Sequence, residues 1–276
     1  MMTTQEDIVR EFGVIPTEEF DPLHEVNRRI AFLAEYLQAS GQRSYVLGVS
    51  GGIDSSVASI LARRATDILS MTGYNASFIA VRLPYGDQAD EADCVNALSY
   101  IQPTETITIN IKPATDAMFA ALYPESESQP GWHIDYVQDF IKGNIKARQR
   151  MIAQYAIAGA RAGLVIGTDH GSEGVMGFFT KHGDGACDLC PLFGLNKRQV
   201  RILGKFLGLP LELYEKPGTA DLEDLKPGFL DEDAYGVPQE EIDDMLEGEI
   251  IRSRSLYKII EQYEKTAHKR ALPVTP

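Results

Sequence analysis

A run of apolar residues gives way to glycine, serine and aspartate between Tyr45 and Ser56, where the sequence is Y-V-L-G-V-S-G-G-I-D-S-S. Gly51 and Gly52 have no Cβ, so a phosphate can approach their backbone closely. The N–H groups of such a turn can converge on an anion. Asp54 would repel a phosphate on its own, and its carboxylate better suits the magnesium that accompanies a nucleotide. The run therefore predicts a loop that binds magnesium and pyrophosphate.

This loop differs from the common P-loop of nucleotide-binding proteins, which has the pattern G-x-x-x-x-G-K-[ST]. Ile53 and Asp54 follow the glycines here, and no lysine is present at that point. A plain Gly-Ser turn between a strand and a helix is the alternative interpretation. The complete string S-G-G-x-D-S-S, placed after an apolar run and before the helical run Val57 to Ala62, favours the anion-binding loop.

Charged and small residues are concentrated again between Gly167 and Gly185, which contains G-T-D-H-G-S-E and then G-F-F-T-K-H-G-D-G. The carboxylate of Glu173 could join Asp54 around a metal ion. The amine of Lys181 could contact an anionic substrate. A solvated loop with satisfied polar groups is the alternative interpretation of this block.

The elements that must position these residues alternate along the chain. Apolar residues at helical spacing predict a helix at Glu25 to Gln38. Strands are predicted at 45–49, 77–81, 106–109 and 164–167, with a helix at 87–100. Apolar strands separated by amphipathic helices indicate a parallel sheet with right-handed crossovers. The predicted fold class is α/β, with a doubly wound, mainly parallel, Rossmann-like sheet flanked by helices.

Ligands of such sheets bind at the carboxyl ends of the strands. The loop at Ser50 and the turns at 82–86 and 167–170 all follow predicted strands, so we expect them to meet at one edge of the sheet. The turn-rich stretch 123–131 predicts a surface loop.

Glycine, proline and acidic residues cluster without periodicity at 217–238. This segment is predicted either to be an ordinary exposed connection or to be a mobile loop that orders over a bound nucleotide. Two helices, 240–246 and 252–268, are predicted to follow it, and the second ends in the basic run Ala267 to Arg270.

The chain is acidic, with 26 basic and 40 acidic residues among 276 and a net charge of −14. Phosphate neutralisation by lysine and arginine supplies most of the affinity of general nucleic-acid binders, so we expect no nucleic-acid partner. No apolar run reaches the roughly 18 residues of a membrane span, and the first residues lack the pattern of a secretory signal. A cytoplasmic protein that handles small anions is the expectation.

Three cysteines are present, and Cys187 and Cys190 form a C-x-x-C motif. Such a motif is typical of zinc or redox sites. Zinc normally requires four ligands, and no second C-x-x-C or H-x-x-x-H accompanies this one, although His170 and His182 lie nearby in the sequence. We interpret the pair as reduced thiols without a metal.

The loop string resembles the signature of the N-type ATP pyrophosphatase family, which cleaves ATP between its α and β phosphates. With it, the 167–185 block closely resembles the G-T-D-H-x-x-E…G-F-F-T-K-x-G-D-G stretch of NAD synthetases. Further matching strings are V-R-L-P-Y-G at 81–86, G-N at 143–144, L-N-K-R-Q at 195–199, T-A-D-L-E-D at 219–224 and H-K at 268–269. The resemblance spans roughly residues 20 to 270. It implies an ATP pyrophosphatase-type fold and the ammonia-dependent form, because only 44 residues precede the first predicted strand and leave no room for a glutaminase domain. One domain, 1–276, is therefore predicted.

The resemblance also implies site residues and their ligands. It assigns ATP to Gly48, Val49, Ser50, Gly51, Gly52, Ile53, Asp54, Ser55, Thr168, Lys197 and Thr219, and magnesium to Asp54 and Glu173. It assigns deamido-NAD, bound at a homodimer interface, to Lys142, Lys181, Asp188, His268 and Lys269. Asp54, Lys197 and Thr168 are the expected catalytic residues. Two departures from the family pattern are a lysine at 142, where an arginine is common, and the order Pro217-Gly218-Thr219, which shifts the proline by one position.

The reaction implied by the resemblance is attack of the nicotinate carboxylate of deamido-NAD on the α-phosphorus of ATP, which gives an acyl adenylate and pyrophosphate. Ammonia then displaces AMP to form the amide of NAD. Magnesium, Lys197 and the loop amides would stabilise the phosphoryl transition state, and no protein nucleophile is required. The alternatives are a tRNA-thiolating ATP pyrophosphatase, which the C-x-x-C suggests, and a non-catalytic nucleotide-binding protein.

Overall fold

A parallel sheet of four strands forms the centre of the protein. The computed structural model describes residues 3–86, 91–126, 134–220, 222–225, 228–271, 273 and 275, with the backbone alone described at 123–126, 219 and 220. The strands are β1 (Ser44–Gly48), β2 (Ser77–Arg82), β3 (Glu105–Thr108) and β4 (Gly163–Val165). Their order is β3-β2-β1-β4, and every pairing between them is parallel. The predicted sheet is thus confirmed.

The strand order reverses beside β1. The chain adds β2 and then β3 on one side of β1 and returns to place β4 on the other side, so that Val46 pairs with both Ile79 and Val165. The connections that leave the carboxyl ends of β1 and β4 consequently diverge and open a crevice between them. The 49–52 loop and the 167–170 turn, which carry the predicted chemistry, lie at this crevice.

Helices precede, connect and follow the strands. They are α1 (Gln5–Phe12), α2 (Pro22–Ala39), α3 (Ile53–Met71), α4 (Glu91–Ile101), α5 (Lys112–Ser126), α6 (Asp135–Ala160), α7 (Gly171–Met176), α8 (Lys197–Phe206), α9 (Leu211–Tyr214), α10 (Asp231–Tyr235), α11 (Gln239–Leu246), α12 (Ser253–Lys265) and α13 (Ala267–Arg270). A short 3-10 helix occupies Thr17–Glu19, and β5 (Thr219–Ala220) pairs antiparallel with β6 (Phe229–Leu230). No helix within the described ranges is both long and apolar enough to cross a membrane.

Alternation along the strands places apolar side chains on both faces of the sheet. On one face Phe78 packs in a core with Leu33 of α2 and Leu61 of α3. On the other face Ile79 packs in a second core with Ala158 of α6. A third apolar cluster joins α1, α7, α11 and α12 beside the sheet. Helices therefore cover both faces, which confirms the doubly wound α/β fold.

Several predicted boundaries are wrong. The predicted 123–131 loop begins inside α5, which continues to Ser126 because the alanine-rich turns before it favour helix; residues 127–133 lie outside the described part of the chain. The helix predicted at 87–100 is confirmed as α4 from Glu91 onward, and its predicted start stays untested because 87–90 also lie outside the described part.

The two predicted regions near the carboxyl end also differ from the structure. The helix predicted at 252–268 is interrupted at Thr266, whose hydroxyl donates to the carbonyl oxygen of Gln262 at 2.7 Å and so competes with the helical ladder. The 217–238 segment, predicted to be irregular, contains β5, β6 and α10. Whether this segment orders over a nucleotide stays a prediction.

Candidate active site

The loop after β1 is tied to the first turn of α3 by its own serines. The hydroxyls of Ser55 and Ser56 donate to the carbonyl oxygen of Gly52 at 3.1 and 2.7 Å, and the Ser50 hydroxyl lies 3.2 Å from that of Ser55. Among the described side chains, none caps the N-terminus of α3. Gly52, Ile53, Asp54 and Ser55 line the crevice, so the N-terminus of α3, a position that favours anions, borders this space.

Gly51 makes this loop possible because its φ is +83°, in the left-handed region. A Cβ at Gly51 would also lie 2.7 Å from the backbone nitrogen of Cys94 in α4. We expect Gly51→Ala to lower the free energy of unfolding by more than the roughly 1–2 kcal/mol that the backbone conformation alone costs. Gly41→Ala is the matched control, since Gly41 has φ +71° and open space around its Cβ position. Equal urea midpoints for the two variants would contradict this account.

Asp54 and Lys197 form a close ion pair in the crevice. The Nζ of Lys197, the first residue of α8, lies 2.7 and 3.0 Å from the two carboxylate oxygens of Asp54 in the first turn of α3. Burial disfavours the charge on Asp54, but the charge and hydrogen bond of Lys197, together with smaller contributions from His170 and a backbone N–H, keep the pKa of this carboxyl below its usual value. Burial likewise opposes the charge on Lys197, and Asp54 and Glu173 raise the pKa of its amine. Both groups are therefore ionised.

His170 lies between the carboxylates of Asp54 and Glu173. Its Nε2 is 3.6 Å from an oxygen of each, and its Nδ1 accepts the backbone N–H of Glu173 at 3.4 Å as the N-cap of α7. Burial and the charge of Lys197 lower the pKa of His170 to about 3, so the ring is neutral. Burial and the charge of Asp54 raise the pKa of Glu173 well above its usual value. Ligand atoms of these three residues all lie within 4.8 Å of one another.

The buried carboxylate of Asp243, which sequence reasoning missed, positions α7 and the N-terminus of α8. Asp243 of α11 accepts the Ser172 hydroxyl at 2.7 Å and the backbone N–H groups of Lys197 and Arg198 at 3.2 and 2.9 Å. Its negative charge therefore lies at the N-terminus of α8, where the helix dipole stabilises it. Asp243 belongs to the acidic run E-E-I-D-D and resembles a solvent-exposed residue; only its position beside the apolar Ile242 could have indicated burial.

A cavity of about 560 Å³ opens in front of these residues. Eleven of the residues assigned from the sequence line it: Gly48, Val49, Ser50, Gly52, Ile53, Asp54, Ser55, Thr168, Glu173, Lys197 and Lys269. Lining residues that were not assigned include Arg82, Arg150, Phe179, Lys216 and Asp231. The structure thus brings the loop and the 167–185 block to one cavity of a single chain.

Gly51, Lys142, Lys181, Asp188 and His268 do not line this cavity, and the side chain of Thr219 is not described. Asp188 accepts the backbone N–H of Val165 at 2.7 Å, beside β4. The amine of Lys269 donates to the carbonyl oxygens of Gly177 and Phe179, each at 2.8 Å. Lys269 therefore fixes the G-F-F turn of its own chain, on the same cavity as Asp54. The binding of deamido-NAD at a homodimer interface, which the resemblance implies, stays a prediction.

Residues 222–225 form a short segment, here called the strap, that is bonded to side chains of α6. Lys142 is one of these side chains. The amine of Lys146 donates to the carbonyl oxygen of the first strap residue at 2.8 Å and to Asp224 at 2.6 Å. Lys142 pairs with the other carboxylate oxygen of Asp224 at 3.0 Å. Asp139, one turn earlier on α6, accepts the backbone N–H of Asp224 at 2.7 Å. These three residues lie on one face of α6 and fix the strap beside the cavity.

Loss of the buried Lys146 amine should release this strap. Lys146→Met keeps the length of the side chain but removes a charge-assisted contact worth about 1.5–3 kcal/mol. We expect limited proteolysis within the 217–238 segment to become at least tenfold faster. Lys112→Met is the control, because Lys112 is an exposed lysine of α5 that pairs with Asp116. Equal cleavage rates in the two variants would show that Lys146 does not hold the strap.

Comparison with known proteins agrees with this site. The profile of the NAD synthase family matches residues 25–273. The chain belongs to the NAD synthase family. The NH(3)-dependent NAD(+) synthetase of Paraburkholderia phytofirmans is 53% identical over 279 residues, covering 100% of this chain and 96% of that protein. The NH(3)-dependent NAD(+) synthetase of Streptomyces coelicolor is 52% identical, covering 99% of this chain and 97% of that protein.

Solved structures of the NAD synthase family share the fold. The crystal structure of NAD+ synthetase from Burkholderia pseudomallei has a TM-score of 0.82 and 50% identity, covering 98% of this chain and 96% of that one. The structure of NMN synthetase from Francisella tularensis has a TM-score of 0.80 and 36% identity, covering 94% of this chain and 99% of that one. Two proteins with this fold are therefore named for different products, NAD+ in one case and NMN in the other.

Proposed function

We propose that this chain is a ligase that forms a C–N bond, converting deamido-NAD, ATP and ammonia into NAD, AMP and pyrophosphate. The observation that carries the proposal is one cavity that combines the anion-binding loop after β1 with Asp54, Glu173 and Lys197. Full-length identity of 52–53% to NH(3)-dependent NAD(+) synthetases supports the same reaction. The family match also favours amidation over tRNA thiolation and over nucleotide binding without catalysis.

In this proposal the chain mainly positions the reactants and stabilises charge. The N–H groups at the start of α3 and the amine of Lys197 contact the phosphates of ATP, and Thr168 lines the same cavity. The nicotinate carboxylate attacks the α-phosphorus, pyrophosphate leaves, and ammonia displaces AMP from the acyl adenylate. Preorganised N–H groups and a fixed ammonium stabilise the negative charge that develops during this transfer.

The donor set of the crevice fits magnesium. Asp54 and Glu173 supply hard carboxylate oxygens, which magnesium prefers, and the orphaned Nε2 of buried His170 lies between them. Magnesium held there would neutralise phosphate charge and make pyrophosphate a better leaving group. The Nδ1 of His170 accepts an N–H, so the proton of the neutral ring is on Nε2, and this nitrogen does not ligate the metal in that tautomer.

We also propose a homodimer and a cytoplasmic location. An apolar groove of about 360 Å³ between the β3 edge, α5 and α6 supports the dimer, since Ile109, Ile111, Ile152 and Ile157 line it. A second copy of the chain is the proposed occupant, and sedimentation of a monomer at micromolar concentration would contradict it. Three cysteines among 276 residues make no disulfide framework, which supports a reducing compartment.

The experiment that tests the function offers the enzyme ATP, ammonium and magnesium with either deamido-NAD or nicotinate mononucleotide. We expect formation of NAD from deamido-NAD at a kcat/KM at least tenfold above that for the mononucleotide. A preference for the mononucleotide would instead assign NMN synthesis to this chain, the activity for which the Francisella tularensis relative is named. Release of pyrophosphate from ATP in the absence of both deamido-NAD and nicotinate mononucleotide would contradict both activities.

A further inference from the structure

The two cysteines of the C-x-x-C motif lie together against one residue of the crevice wall. Leu189, between them, forms a parallel bridge with Ile166 at the end of β4. A Cβ placed on Gly167 would lie 2.5 Å from the sulfur of Cys187 and 3.6 Å from that of Cys190. Both residues are thiols, and neither is fully buried. Because both side chains are partly exposed, a small reagent can reach this pair.

The two thiols differ in their surroundings. The Cys190 thiol donates to the carbonyl oxygen of Asp169 at 2.9 Å. Its interaction with the neighbouring thiol lowers the pKa of Cys187 and raises that of Cys190 well above the usual value. A thiolate is the form of cysteine that attacks oxidants, which makes Cys187 the nucleophile of the pair and Cys190 its resolving partner.

A zinc site is not favoured by the ligands around the pair. Within the described ranges, the group of three or more metal-ligating side chains that lie close together is Asp54, His170 and Glu173, and it includes neither cysteine. Two thiolates alone do not complete the four-coordinate site that zinc normally adopts. Two adjacent thiols without further ligands are instead suited to forming a disulfide with each other.

We propose that Cys187 and Cys190 form a reversible oxidation site, which hydrogen peroxide converts into a disulfide that slows the enzyme. The thiolate of Cys187 attacks one peroxide oxygen, the O–O bond breaks, and hydroxide leaves, giving a sulfenic acid at Cys187. The sulfur of Cys190 then attacks the sulfenic sulfur, the S–S bond forms, and water leaves. Two thiols lose two electrons, and one peroxide is reduced to two waters.

The consequence for the site follows from the bond that Cys190 makes. A disulfide sulfur carries no proton, so the carbonyl oxygen of Asp169 loses its donor. Asp169 belongs to the turn in which Gly167 and Thr168 line the cavity and His170 caps α7. Oxidation therefore changes the turn that faces ATP. This part of the inference rests on the proposed function, whereas disulfide formation does not.

The test treats the reduced full chain with hydrogen peroxide, removes the excess with catalase, and follows three readouts. Non-reducing peptide mass spectrometry should find Cys187 linked to Cys190, with Cys94 still a thiol. The rate of NAD formation should fall at least fivefold, and the dissociation constant for ATP, measured by calorimetry, should rise at least fivefold. Dithiothreitol should reverse all three changes. The mass readout keeps its meaning even if the proposed reaction fails.

Variants separate this site from general oxidative damage. The double variant Cys187→Ser, Cys190→Ser should keep its activity when reduced and resist peroxide, whereas Cys94→Ser should respond as the wild type does. Cys190→Ser should accumulate a sulfenic acid at Cys187 that dimedone traps. Absence of the disulfide in the treated wild type would overturn the site, and a disulfide that changes neither rate nor ATP affinity would overturn its effect on the enzyme.

Discussion

Replacing Asp54 with asparagine should lower the rate of NAD formation by a factor of about 10³ or more, because it removes a charge from the centre of the electrostatic site. The carboxylate of Asp54 contacts Lys197 and lies next to His170 and Glu173 on the cavity wall. Asparagine conserves volume and can still accept from the amine of Lys197, so the chain should fold, with a lower thermal midpoint because the buried ammonium loses its counter-charge. The rate is measured at saturating magnesium, together with the thermal unfolding midpoint.

Asp67→Asn is the matched control for this variant. Asp67 lies on the same helix, α3, and its carboxylate pairs with Arg63 near the surface. It should keep the wild-type rate within a factor of about two, since surface ion pairs contribute little. A wild-type rate for Asp54→Asn at saturating magnesium would rule out Asp54 as a metal ligand.

Replacing Lys197 with methionine should affect both catalysis and stability. The substitution removes the ammonium proposed to contact the phosphates, and we expect kcat to fall by a factor of about 10²–10³. It also leaves the buried charge of Asp54 without its partner, which costs about 3–5 kcal/mol of unfolding free energy. Urea unfolding and steady-state kinetics measure the two effects separately.

Lys205→Met serves as the control, because Lys205 is exposed at the other end of the same helix, α8. It should change neither quantity appreciably. Magnesium should restore part of the stability of Lys197→Met, since a cation at Asp54 and Glu173 replaces the lost charge. If Lys197→Met is as stable as Lys205→Met without magnesium, the ion pair does not stabilise the fold.

The sheet and the nucleotide loop could be predicted because their signals are local. Apolar runs of four to six residues specify the strands, and the S-G-G-x-D-S-S string specifies a turn whose glycine takes a positive φ. Residue types had already suggested Glu173 as a partner of Asp54, the resemblance added Lys197, and all three line the cavity. The loop itself depends little on contacts that are distant in sequence, whereas the pairing of Lys197 with Asp54 joins residues 143 positions apart.

Residues that act through distant partners could not be predicted in this way. Asp243 holds the N-terminus of α8 from α11, and its own helix gives no sign of the buried N–H groups that it meets. Asp139 and Lys146 look like the exposed face of a polar helix, because their partner, the 222–225 strap, lies about eighty positions further along the chain. The assignment of Lys142 to deamido-NAD came from resemblance alone, and the structure pairs this lysine with Asp224.

The central claim is that the nicotinate carboxylate is adenylated before ammonia attacks, and isotope transfer tests it most directly. Deamido-NAD labelled with oxygen-18 in the nicotinate carboxylate is incubated with the enzyme, ATP, magnesium and ammonium, and the phosphate of the AMP product is analysed by mass spectrometry. The account predicts one labelled oxygen in AMP for each NAD formed, because the carboxylate oxygen that attacks the α-phosphorus leaves with AMP. Formation of NAD with unlabelled AMP, or with ADP and phosphate in place of AMP and pyrophosphate, would contradict it.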